Sequence, residues 1–139
     1  MANADASFLS ERLDAGAIPL AVGDVLAIVA VLTAGTIQHN GVAFVTANPV
    51  YLAGVLAPFL IGWVVAAPLL GAYSPGAAES AKAALPLAVR SWVVADLIGV
   101  GLRASPLFHG GFALTFAAVS LVTGLVAIVA WRWLYFRVR

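Results

Sequence analysis

The chain has 139 residues, of which 63% are hydrophobic and 9% charged, with a net charge of +1. A soluble domain carries about 25% charged residues, and at a mean hydropathy of +1.06 a water-soluble fold of this size cannot hide its apolar surface. The small net charge gives no support to nucleic-acid binding, and the lack of cysteine excludes disulfides and thiolate metal centres. The composition implies an all-α, polytopic membrane protein with one small domain.

Residues 1–16 are polar and form an N-terminal segment. Asp5, Glu11 and Asp14 stand against Arg12 alone, so this is no basic leader of a cleaved signal. Phe8, Leu9 and Leu13 have the spacing of a brief interfacial helix, which Gly16 would end.

The first span covers residues 17–38, about 30 Å of helix and enough to cross hydrocarbon. Asp24 is its one charge, and Pro19 sits in the first turn, where its missing N–H costs nothing. His39-Asn40-Gly41 ends it. The second span covers residues 51–73, with Tyr51 and Tyr73 as interfacial residues at its two ends. Pro58 and Pro68 lie inside it and should each bend the helix. Ser74-Pro75-Gly76 is a turn, and residues 77–84 form a loop.

The third span, residues 85–103, is mostly apolar yet carries Arg90, Asp96 and Arg103. A charge in hydrocarbon costs several kcal/mol without a partner or water. This span is therefore expected to be the inner helix that the others pack around. Ser105-Pro106 stops it, and a turn containing His109 leads to the fourth span, residues 112–133. The chain finishes in WRWLYFRVR, where Trp131, Trp133, Tyr135 and Phe136 interleave with Arg132, Arg137 and Arg139 as an interface anchor.

Counting Lys and Arg near the span ends places both termini in the cytoplasm, with six basic residues inside and only Arg103 outside. The pairs Gly62/Ala66, Ala67/Gly71, Ala95/Gly99 and Ser120/Gly124 would let helices approach closely. Pro19-Leu20-Ala21-Val22 and Pro86-Leu87-Ala88-Val89 open the first and third spans. They suggest a parallel repeat, although chance explains the match as well in so Ala-, Val- and Leu-rich a chain.

Asp24 lies about 10 Å into the first span and Arg90 about 8 Å into the third. If those helices are neighbours the two groups meet, as a structural ion pair or as a gate. Asp96 lies near the midplane, on one helix face with Trp92, Gly99 and Arg103. Arg103 is two turns away, so Asp96 needs a donor from another helix, water or a proton. It is the best single candidate for a proton or cation site; a neutral carboxyl bonded across helices is the plainer reading. His39 and His109 fall at the outer end, where capping suits them better than metal or haem ligation. The chain has no nucleophile motif and no phosphate loop, so neither enzyme activity nor a cofactor is read from it.

Several motifs together resemble a four-helix membrane family of bacteria and haloarchaea catalogued as domain of unknown function 3054. They are Asp24 in the first span, Gly35 with His39 at its end, and Pro58-Phe59 with Gly62-Trp63 in the second. Trp92, Gly99 and Arg103 follow in the third, and Trp131-Arg132 closes the fourth. The resemblance covers nearly all of the chain after residue 17; the family pattern does not include Asp96 or His109. It implies four helices in a cell membrane and no particular activity. The leading functional reading is a bundle whose inner polar residues serve small-solute, ion or proton permeation, or pair structurally, with self-association allowed. The alternatives are an accessory or scaffold subunit that binds a membrane partner through small-residue faces, and a cofactor or lipid binder using His39 and the second span.

Overall fold

The structure is a computed structural model that describes residue 8 and residues 10–139. Its helices are α1 (Ile18–Asn40), the short α2 (Val42–Ala47), α3 (Pro49–Leu69), α4 (Ala81–Ala104) and α5 (Leu114–Val138), with a single 3-10 turn at Ala15–Ala17 before α1. The four long helices are each long and apolar enough to cross a membrane. Their outward faces are apolar too, with Leu26, Val64, Leu97 and Val126 all more than 60% exposed. Exposed aliphatic residues on every long helix fit a lipid surround. Of the expected N-terminal helix, Phe8 and Ser10 are helical and Leu9 lies outside the described residues, but the helix stops short of Gly16: Leu13 and Asp14 run extended beside Tyr73.

Element ends differ from expectation where local chemistry extends or stops a helix. α4 begins at Ala81, before the expected residue 85, because Ser80 accepts the Ala83 N–H at 3.2 Å and caps it. The proposed loop at residues 77–84 is correspondingly shorter. α5 continues to Val138 because nothing in WRWLYFRVR breaks a helix. α3 passes through Pro58 and stops one residue after Pro68, four short of the expected end. The chain turns at Gly71, whose φ of +84° suits glycine. Tyr73 is thereby folded back beneath the bundle and buried, so it is not the interfacial residue expected from its place beside an apolar run.

α4 packs on α3 and α5, and α1 packs on α5 and α3. The helices form a ring in which α1 and α4 are diagonal, so α4 is one wall of four and not a central post. Aromatic rings lying on glycines hold the walls together. Trp131 of α5 lies on Gly23 of α1 and donates its Nε1–H to the Leu20 carbonyl at 3.1 Å. Trp92 of α4 lies on Gly124 of α5 and donates to the Leu121 carbonyl, also at 3.1 Å. Both use a Leu-x-x-Gly segment: the missing Cβ lets the indole reach the carbonyl three residues earlier. Phe59 of α3 covers Gly99 of α4, and Gly62 abuts the Ala95 backbone. Three of the four small-residue pairs therefore contribute to contacts; Gly71, of the fourth, belongs to a turn instead.

Candidate functional site

Two polar sites occupy opposite halves of the bundle. The half that bears the chain termini contains Asp24, with no solvent exposure, against Arg132, equally buried. Arg132 donates Nε to Asp24 Oδ1 at 3.0 Å and Nη2 to Oδ2 at 2.7 Å, and its Nη1 reaches the Ala84 carbonyl at 2.9 Å. The Tyr73 hydroxyl donates to Asp24 Oδ2 at 2.7 Å and accepts from Trp63 Nε1 at 2.8 Å. One carboxylate thus ties together α1, α3, α4, α5 and the turn after α3. A two-pronged guanidinium–carboxylate pair with its remaining positions bonded can persist without water.

The expected Asp24–Arg90 pair is not formed. α5 stands between α1 and α4, and Arg90 instead reaches the end of α3. Its Nε and Nη2 donate to the Leu70 carbonyl at 3.0 and 2.5 Å, satisfying a carbonyl left free where that helix stops. Arg132, expected to anchor at the interface, is the true partner. Trp131 beside it is likewise engaged in packing, while Trp133 stays exposed.

The far half holds a cavity of about 580 Å³ among all four long helices. α1 contributes Val31 to Asn40 of its last turns, α3 contributes Tyr51 and Val55, α4 contributes Arg103, and α5 contributes residues as deep as Thr123. Thr123 is about 14 Å along α5 from Leu114 at the helical rise. Below it, Ile28 of α1 and Ile128 of α5, both essentially unexposed core residues, lie along their helices between the cavity lining and the Asp24–Arg132 pair.

Arg103, His39 and His109 all line this cavity. The Arg103 guanidinium lies 3.7 Å from the Phe116 ring centroid, a cation–π contact, and it stands close against Gly110, where an added Cβ would sit 2.4 Å from Nε. His109 stacks on Tyr51 at 4.7 Å, and Tyr51 meets Phe44 edge-on at 5.1 Å. Asp96 is 3% exposed and stands behind the wall, accepting from Ser120 Oγ at 2.6 Å. The donor from another helix that Asp96 required is therefore Ser120, and no bond joins it to Arg103. Replacing Ser120 by Ala should cost about 1 kcal/mol, the upper part of the range for polar contacts between membrane helices. Thermal unfolding in detergent checks this. Among the described residues no group of three metal-ligating side chains exists.

The family model described as Protein of unknown function (DUF3054) matches residues 21–135. The chain belongs to this family. The matched region includes the paired Asp24 and Arg132 and the cavity cation Arg103, so both sites of this DUF3054 protein lie inside it. No curated protein and no solved structure matches the chain.

Proposed function

We propose that this DUF3054 protein resides in the plasma membrane with both termini cytoplasmic and admits a small solute or ion into the far-half cavity. The observation that carries the reading is a cavity shared by four membrane-length helices; beyond its deepest lining residues on α1 and α5, the buried Ile28 and Ile128 would serve as the plug. A path open from one side and closed by packed side chains on the other suits a permeation protein held shut. The Asp24–Arg132 pair then serves as the lock behind the plug, and Ser120, backed by its bond to Asp96, forms part of the wall above it. An accessory-subunit role has one observation in its favour, the dry, fully paired state of Asp24.

The test is flux in proteoliposomes, read by an internal pH dye and by ion-selective dyes. Ile28→Ala with Ile128→Ala should raise the leak several-fold over wild type, and Arg103→Gln should alter which solute passes. Flux equal to that of empty liposomes for wild type and the widened variant alike would sink permeation and favour the accessory role.

A further inference from the structure

The ligand class of the cavity can be argued from Arg103. Its guanidinium is half-buried, at the far end of α4. Among the described residues the only ion pair is Asp24–Arg132, in the other half of the bundle. The nearest acid along its own helix, Asp96, is two turns deeper, bonded to Ser120 and outside the cavity wall. Phe116 offsets part of the cost of holding this charge among apolar groups, and an anion would offset the rest. The Phe116 ring lies on the planar group and Gly110 stands close beside it, and a guanidinium held in place suits two-pronged bonding to a carboxylate or phosphate.

The other lining residues limit what carries that anion. Val31, Leu32, Val55 and Val119 present aliphatic surface. The Thr36 and Thr123 hydroxyls donate to the carbonyls of Leu32 and Val119 in their own helices, at 2.8 and 2.7 Å. A volume of about 580 Å³ falls in the range that encloses organic ligands. A bare inorganic ion would leave most of this apolar wall facing water.

We infer that the cavity binds an amphiphilic anion, with its carboxylate or phosphate on Arg103 and its apolar body between α1, α3 and α5. This rests on the reading that the cavity receives a solute, and it adds the class of that solute. A free carboxylate and a membrane lipid headgroup share the required chemistry. The cation is at the helix end and the apolar wall runs inward, so the ligand enters tail first.

Binding of decanoate, decanol and decyltrimethylammonium to the full chain in phosphatidylcholine nanodiscs tests this, with empty nanodiscs as the blank. Wild type should bind decanoate at least ten-fold tighter than either other probe. Arg103→Gln should bring decanoate down to the decanol level and leave decanol unchanged, which also reports that the variant is folded. Arg103→Lys should retain part of the preference, and Val55→Trp, which fills the cavity, should abolish binding of all three.

Replacing part of the phosphatidylcholine with phosphatidylglycerol distinguishes the sources. Competition with decanoate assigns the site to a lipid headgroup, and no competition assigns it to a free anion. The inference is overturned if wild type binds decanol or the cation as well as decanoate, if it binds none of them, or if a folded Arg103→Gln keeps the preference. The wild-type ranking decides even should a variant not fold. Absent flux with intact decanoate preference sinks permeation alone; flux without that preference sinks the anion site alone.

Discussion

Replacing Arg132 by Met is expected to destabilise the bundle by about 3–5 kcal/mol, the cost of leaving a buried charge without its partner. Asp24 would keep only the Tyr73 hydroxyl, at a site with no exposed surface, and the Ala84 carbonyl would lose its donor. Asp24→Asn should cost a comparable amount, because the guanidinium would then be the stranded charge. The double variant Asp24→Leu with Arg132→Met should recover most of the loss, since apolar replacement of a whole buried pair is often neutral. Tyr73→Phe removes one neutral donor and should cost about 1 kcal/mol. Arg90→Ala should cost less than about 1 kcal/mol, because its exposed side chain bonds a helix end that water also reaches. Tryptophan-detected unfolding in detergent measures the set. An Arg132→Met protein as stable as wild type, or a double variant no better than the single, would refute the lock.

This ranking of Arg132 above Arg90 shows what the sequence holds in plain view and what it does not. Four spans were legible because each is an unbroken apolar run of bilayer length. Which spans are neighbours was not legible, because hydropathy carries no information about order around a ring. Asp24 and Arg90 lie at matching depths, but the ring places their helices on a diagonal.

The correct partner left one trace. Asp24 is the seventh residue of α1 and Arg132 the seventh from the end of α5. Antiparallel neighbours therefore bring them level, but only if α5 is known to continue to Val138. The aromatic and basic character of WRWLYFRVR hid that continuation, because it matches an interfacial anchor so well. Tyr73 was obscured for the opposite reason. It ends an apolar run, yet the turn at Gly71 takes it out of the helix and into the core. Trp92, Asp96, Gly99 and Arg103 fall on one face of their helix by spacing alone. That face meets Phe59, Gly124 and Phe116, contacts that depend on helix order and so could not be read beforehand.

Gly62→Ala is expected to cost about 3 kcal/mol, the upper end for overpacking a closed contact. A Cβ there would sit 2.4 Å from the Ala95 carbonyl oxygen, and a backbone atom cannot rotate aside, so α3 and α4 would have to separate. Gly124→Ala should cost about 1–2 kcal/mol, because its Cβ would sit 2.2 Å from the Trp92 ring, which can tilt at the expense of its bond to Leu121. Gly101→Ala and Gly35→Ala meet no atom within 4 Å and should be neutral or more stable by up to about 1 kcal/mol, from helix propensity. The same unfolding assay checks the order, and equal effects at Gly62 and Gly101 would rule out close packing of α3 on α4. The contrast extends to function. Trp92 lies on Gly124, about one turn along α5 from Ile128, so an alanine at residue 124 that tilts the indole should loosen the plug. Gly124→Ala is then expected to raise the proteoliposome leak, and Gly101→Ala to leave it at the wild-type level. A leak unchanged in a folded Gly124→Ala protein would separate the seal from the Trp92 contact and leave it to Ile28 and Ile128 alone.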